Sequence, residues 1–400
     1  MNNRLNQTKN LLTKNSLDAI LVSSIPNITY LTGFSNFSKD EREAFVVIVA
    51  QPLAQPQGLT HKTPGVTGYI ITDGRYSEAV QISVPHFELI ERNVNNTLKQ
   101  IFSSLLKKHR IKTVGIEENN ICVAEYKAFK KLFPRIKPFD ISLLRTIKSN
   151  DEIKAIEKAC EIGDKAFEYI LEQLNEDLTE KDVAFLLEHF IKKQGADLSF
   201  PTIVAFGKNS SIPHHQTSNQ RLASSGQFVL IDFGVKLNNY CSDMTRTVFF
   251  GKATDEQKKM YQTVLEAQQK AIDFLTQRHS ERSEESPRAS LKRSGSFGLR
   301  PQDDGRMKAS DIDKVARDYI VNKGYPTIPH SLGHGIGLEV HEAPRLSPNS
   351  SDELREGMVF SIEPGIYLPG FGGVRIEDLI VLEKSGHRSL TKSPRGMIII

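Results

Sequence analysis

Residues 228–250 read FVLIDFGVKLNNYCSDMTRTVFF, and the fold turns on them. Residues 228–233 and 244–250 are β-rich runs with a turn signal at 236–239, so the stretch predicts a hairpin. Asp232 closes the first apolar run, where a carboxylate is expensive to desolvate unless it is paired or binds a metal. An Asp two residues before a Gly is also an ordinary turn residue, so Asp232 alone decides nothing. Asp243 follows eleven positions later, and a hairpin sets the two carboxylates side by side.

Upstream, Ser149 with Glu152 has capping-box form. Ile153, Ile156, Ala159, Ala166, Ile170 and Leu174 then follow at helical spacing, so a long amphipathic helix begins there. Thr179 and Asp182 can cap a second helix with the stripe Val183, Leu186, Leu187, Phe190 and Ile191, which Gly195 is placed to end. A strand at 202–205 precedes the hairpin. Downstream the order recurs: Thr254 caps a helix through Leu275, Ser310 caps another stopping at Gly324, and strands follow at 359–362, 374–382 and 397–400. Asp232 lies 37 positions after Gly195, and Glu363 lies 39 after Gly324. This reads as a duplicated unit of two helices and a sheet, with a site between its halves.

Residues 277–306 break the pattern. They are rich in Ser and Arg without usable period, and read as a low-complexity, mobile insertion: a solvated loop, or a basic tract for a partner or phosphorylation. Residues 1–145 read as a separate α/β domain. Short strands at 19–23, 44–50, 69–72 and 113–116 alternate with helices at 97–109 and 124–132, and 51–68 is a loop.

Composition narrows the classes. Four hundred residues favour two domains, and 38% apolar with 25% charged residues is ordinary globular usage rather than disorder or coiled coil. The longest apolar run, 44–50, is far short of the roughly 18–20 residues that cross a bilayer. No secretory apolar region follows the basic N-terminus, so the expected compartment is the cytoplasm. A net charge of +4 gives no footprint for nucleic acid. Three distant cysteines without CxxC spacing argue against both a disulfide framework and a thiolate zinc site.

The second half supplies His334 in HSLGHGIGLEVHE, Glu363 in FSIEPG and Glu377 in GVRIED, each beside a strand-like run. Four carboxylates facing one another repel strongly, and two divalent cations remove that repulsion. One imidazole and four carboxylates form a hard donor set, favouring Mn²⁺, Fe²⁺ or Co²⁺ chemistry without excluding Zn²⁺. Other motif enzymes fail: Arg345 stands where HExxH needs its second His after His341-Glu342, residues 370–373 are not GxGxxG, and no Walker lysine occurs.

With these residues in hand, the sequence resembles the Xaa-Pro aminopeptidase and prolidase branch of the methionine aminopeptidase-like metallopeptidases. The motifs are IDFG, SDMTRT, HSLGHGIGLEVHE, SIEPGIY and GVRIED. The resemblance implies an α+β fold: a pita-bread catalytic domain with an internal pseudo-twofold repeat over 149–400, preceded by a creatinase/prolidase-type α/β domain over 1–145. It implies that Asp232 binds one metal ion, that His334 and Glu363 bind the other, and that Asp243 and Glu377 bridge both. A bridging hydroxide would attack the peptide carbonyl; Mn²⁺ is the first expectation for the metal.

His214 resembles the family's first catalytic histidine, with His215 as the competing imidazole, and His341 resembles the histidine beside the scissile carbonyl. Arg375 resembles an arginine that fixes a carboxylate, a surface salt bridge being its alternative. Tyr240 is a candidate hydrogen-bond partner of Asp243. The implied activity is release of the N-terminal residue from peptides with proline in second position, by a homodimer acting on peptide substrates. The alternative is Xaa-Pro dipeptidase (prolidase), and a non-catalytic binding protein on the same fold is the remaining class.

Overall fold

The computed structural model describes residues 2–38, 41–50, 68–223, 226–284, 307–384 and 386–400. They divide into two compact units, Met1–Arg145 and Thr146–Ile400. No helix among the described residues is long and apolar enough to cross a membrane.

The first unit is built on a mixed six-stranded sheet. Its order is Glu88–Arg92, Gly68–Asp73, Phe45–Val49, Ala19–Val22, Thr113–Ile116 and Arg135–Pro138. Ala19–Val22 and Phe45–Val49 are buried at every position, which explains their uninterrupted apolar runs: central strands covered on both faces cannot alternate. Phe102, Phe129 and Phe133, from the helices Leu98–His109 and Val123–Leu132 and the residue that follows, pack with Phe45 under one face. Sequence periodicity missed the helices Asn2–Lys14, Ile25–Thr32 and Ser77–Ser83 and both edge strands, Glu88–Arg92 and Arg135–Pro138. The edge strands have no fully buried face. Of the loop expected at 51–68, residues 51–67 lie outside the described residues.

In the second unit two helix pairs are each followed by strands. Asn150–Gln173 has Ser149 as N-cap, and Glu180–Lys193 has Thr179 as N-cap, both with the reciprocal capping box. They bury Phe167, Ile170, Val183 and Leu187 against the sheet Met244–Phe250, Gln227–Phe233, Ile203–Phe206. The second pair, Asp255–Glu284 and Ala309–Asn322, packs on a five-stranded sheet. The order of that sheet is Glu342–Leu346, Gly333–Gly335, Val359–Ile362, Asp378–Glu383, Gly386–Ser389. The fold is thus α+β with a recurring helix-helix-sheet unit.

The structure corrects four expectations. Ser310 lies inside Ala309–Asn322, whose N-cap is Lys308; the Ala309 amide is met by the Asp352 carbonyl instead of a capping side chain. The helix begun after Thr254 runs past Leu275 to Glu284, into the expected insertion, of which 285–306 lie outside the described residues. The run 374–382 is two strands, Gly372–Arg375 and Asp378–Glu383, broken at Ile376 and Glu377. Residues 397–400 form no strand of their own, although Ile399 makes a parallel bridge with Phe249.

Candidate active site

The hairpin forms by a longer route than a simple turn. Gln227–Phe233 pairs antiparallel with Met244–Phe250, opposing Asp232 to Thr245. Between them Val235–Leu237 and Tyr240–Cys241 make a small hairpin through Asn238 and Asn239, at φ 49° and 74°. Consecutive left-handed residues match the type I′ turn, which asparagine tolerates. Asp232 and Asp243 are buried to 9% and 4% exposure.

The other residues arrive from the second sheet. His334 is the middle of Gly333–Gly335, and its neighbours are glycines for want of space. A Cβ on Gly333 would stand 1.9 Å from the Ser361 carbonyl oxygen, and one on Gly335 would stand 2.1 Å from that of Ala343. The Ser361 hydroxyl receives the His334 amide at 3.1 Å and donates to Glu363 Oε1 at 3.0 Å. Glu377 occupies the break between two strands because its amide donates to the Thr245 carbonyl of the first sheet (3.1 Å). Thr245 Oγ1 then donates to Glu377 Oε2 at 2.7 Å.

Asp243, His334 and Glu377 each offer one ligand atom within 4.8 Å of the others, a spacing that fits one metal ion. Asp232 and Glu363 are outside that trio. His334 Nε2 is 3.2 Å from Glu363 Oε1 and 3.6 Å from Asp243 Oδ2. Asp232 Oδ2 accepts from Arg375 Nη2. Asp232 Oδ1, Asp243 Oδ1 and Glu377 Oε1 are buried without a hydrogen-bond partner. Three orphaned carboxylate oxygens facing a hard donor set are what a divalent cation site requires.

The electrostatics agree. Burial, then the charges of Glu377 and Asp232, push the Asp243 carboxyl well above the usual range. Burial with Glu363 and Asp232 lifts Glu377 to about 8. Burial also opposes ionisation of Glu363, but its hydrogen bond and charge pairing with His334 hold it at about 2. Burial opposes the His334 cation, and Glu363 more than offsets it, raising the imidazole to about 9. With all four carboxylates ionised the cluster would carry more negative charge than His334 and Arg375 neutralise, and cations would complete it.

A cavity of about 1030 Å³ opens on the cluster. His214, Asp232, Asp243, His334, His341, Glu363, Arg375 and Glu377 line it, whereas His215 and Tyr240, also named from the sequence, do not. The His341 ring stands edge-on to His334, centroids 4.4 Å apart. Of the tandem pair, His215 is turned away: its Nε2 meets Glu180 Oε2 at 2.8 Å. Arg375 is 3% exposed rather than at the surface. Besides Asp232 it donates to Thr245 Oγ1 (3.0 Å), the Tyr367 hydroxyl (2.9 Å) and the Pro213 carbonyl (3.2 Å). The Tyr240 hydroxyl donates to Glu152 Oε1 at 3.1 Å.

Sequence reasoning missed His330, which lines the cavity and bonds the Tyr367 hydroxyl at 2.9 Å. It also missed Arg345, whose Nε donates to Ser331 Oγ at 2.8 Å. A histidine four residues before His334 in the same glycine-rich run was the available signal for the first. Arg345 served only to reject a zincin motif.

Comparison with known proteins agrees with this architecture. Residues 4–147 match the Creatinase/Prolidase N-terminal domain model. A Bacillus subtilis protein described as an uncharacterized peptidase is 36% identical over 99% of this chain and all of its own length. An Xaa-Pro dipeptidase from Pyrococcus horikoshii is 36% identical over 100% of this chain and 99% of its own. Among solved structures, an Xaa-Pro dipeptidase from Bacillus anthracis superposes with TM-score 0.83 at 32% identity, covering 100% of this chain and 99% of that one. An X-Pro aminopeptidase from Thermotoga maritima gives 0.76 at 32%, covering 96% and 98%. Residues 154–283 and 299–384 match the model of metallopeptidase family M24, and the chain, carrying a buried acidic cluster with three unpartnered carboxylate oxygens in that region, belongs to this family.

Proposed function

We propose that the protein is a metal-dependent Xaa-Pro dipeptidase. The observation that carries this reading is the full-length similarity to relatives described as Xaa-Pro dipeptidases, from Pyrococcus horikoshii and Pyrococcus furiosus. Sequence motifs alone put the aminopeptidase first; the relatives favour the dipeptidase. The aminopeptidase stays as a second reading because of the Thermotoga maritima structure.

In this proposal Asp232, Asp243, His334, Glu363 and Glu377 would together hold two divalent ions, with Mn²⁺ the first metal to test. When bound, such a pair supplies a Lewis acid for the carbonyl and a water acidic enough to attack at neutral pH. The chain does the rest. His214 and His341 face the substrate from the cavity wall. Burial holds the His341 pKa below its ordinary value, leaving a neutral imidazole to donate one N–H to the substrate. Arg375 aims Asp232 and offsets part of the burial that raises its carboxyl. An Xaa-Pro amide has no N–H, so recognition must come from the chain ends and ring rather than that donor.

A dipeptide presents its carboxylate one residue beyond the scissile bond, and a dipeptidase needs a cation to receive it. Arg375 is committed to Asp232 and Tyr367, so we assign this role to Arg345, exposed at the cavity. Losing a charged hydrogen bond of about 1.5–3 kcal/mol, Arg345→Ala is expected to raise KM for an Xaa-Pro dipeptide roughly 10- to 100-fold. The inhibition constant of the matching Xaa-Pro amide, the same dipeptide lacking that carboxylate, should be little affected. Equal changes for both would remove Arg345 from the carboxylate site.

The direct test strips the protein with chelator, reloads Mn²⁺, Co²⁺ or Zn²⁺, and measures hydrolysis of a dipeptide beside a tripeptide. Metal-restored cleavage confined to the dipeptide supports the proposal. Cleavage of the tripeptide returns the reading to the aminopeptidase, and no cleavage with any metal sinks both.

A further inference from the structure

Glu180 is wholly buried, yet it belongs to no charge pair that the helix it opens requires. The first turn of Glu180–Lys193 is already closed by the Thr179 and Asp182 capping box. Its carboxylate instead gathers five donors from one distant segment. Oε1 accepts from the Phe206 amide and Asn209 Nδ2, both at 2.8 Å. Oε2 accepts from His215 Nε2 (2.8 Å), the Ser218 amide (2.9 Å) and the Ser218 hydroxyl (2.6 Å). Burial works against ionisation here, but the Ser218, Phe206, Asn209 and His215 donors outweigh it and hold the carboxyl below its ordinary range.

The ends of this clamp bracket a single cavity-lining imidazole. Before His214, the Pro213 carbonyl is held by Arg375, which also holds Asp232. After it, the His215 ring is held by Glu180. His214 itself is exposed and lines the cavity with Asp232, His334 and Glu363. A side chain so exposed has little packing of its own to fix its direction, so its backbone must be fixed from both sides.

We propose that Glu180 is a positioning residue for the peptidase reaction: by clamping residues 206–218 it aims His214 at the substrate. This rests on the dipeptidase reading above, and the test separates the two. Glu180→Gln, His214→Ala and the double variant are compared with the parent, all loaded with Mn²⁺, for kcat and KM on an Xaa-Pro dipeptide. Metal affinity is measured by calorimetry. Amide exchange over 206–218 is followed in the metal-free proteins. His215→Ala removes one of the five donors and serves as the milder variant should Glu180→Gln fold poorly.

Glu180→Gln is expected to lower kcat about 10- to 100-fold, with metal affinity unchanged within about twofold. Exchange over 206–218 should speed up while that of 183–193 does not, and His215→Ala should move both readouts the same way by less. In the His214→Ala background Glu180→Gln should add almost nothing, because two residues acting as one unit are not additive. Full additivity, or metal affinity falling in step with kcat, would overturn the proposal. If the parent cleaves no Xaa-Pro peptide, the function reading fails, and the exchange data still decide whether Glu180 holds the segment: unchanged exchange in Glu180→Gln refutes the clamp.

Discussion

Asp243→Asn is expected to abolish metal-dependent peptidase activity and at the same time to raise the melting temperature of the metal-free protein. Asp243 is 4% exposed, lies with Glu377 and His334 in the tight trio, and has one oxygen without a partner. In the absence of cations folding forces it either to keep a charge beside those of Glu377 and Asp232 or, as its raised pKa implies, to take up a proton, and either costs stability. An amide of the same shape removes that cost. Replacing ill-compensated buried charge typically gains about 1–4 kcal/mol, and about 1 kcal/mol in a unit of this size is roughly 2–4 °C. The same amide is a poor bridging ligand, so turnover should fall by a factor on the order of 10³ or more, the scale of losing a primary electrostatic group. Calorimetry in chelator and dipeptide assays with Mn²⁺ read the two effects. Full activity would sink the dinuclear assignment, and a lower melting temperature would show that the free protein already neutralises Asp243.

Arg375→Met should move stability the other way. Arg375 is 3% exposed and serves Asp232, the Tyr367 hydroxyl, Thr245 Oγ1 and the Pro213 carbonyl. Removing it leaves a buried carboxylate uncompensated and three acceptors without their donor. Breaking a buried pair from one side is destabilising by about 3–5 kcal/mol, with a further 10- to 100-fold loss in metal affinity through Asp232. Arg375→Lys restores the charge but not the planar fork, and should fall between the two. Saturating Mn²⁺ should recover part of the lost stability, since a ligand bound only by the folded state stabilises it. Thermal melts with and without metal measure this; a variant as stable as the parent would show the guanidinium to be dispensable.

Local grammar carried much of the fold. Ser149 and Thr179 cap their helices as their reciprocal acidic residues suggest, and the two aspartates reach the site by the hairpin their spacing implies. What escaped is what depends on remote partners. The apolar run 374–382 looks continuous, yet it breaks because the Glu377 amide is claimed by Thr245, far back in the chain. Ser310 has cap chemistry, but the Asp352 carbonyl took the cap's task.

The candidate cluster was legible because each acid interrupts an apolar run, a placement that needs compensation. Glu180 was not: as the first residue after a helix cap it looks like any acidic residue favoured by the helix dipole. Its meaning lies in donors 26 to 38 positions away. Which of two adjacent histidines faces the cavity likewise depends on that carboxylate.

The break at Glu377 also orders events in time. Asp232 belongs to one sheet and Asp243 borders it, while His334, Glu363 and Glu377 belong to or border the other, and Glu377 is stitched to the first sheet by Thr245 and by Arg246, whose Nη1 donates to the Glu377 carbonyl. A chain emerging from the ribosome adds more than 130 residues after Asp243 before Glu377 exists, and until then the trio lacks a member. Until residue 377 has crossed back to Thr245 the cluster is incomplete, so the activity that it supports waits on that crossing.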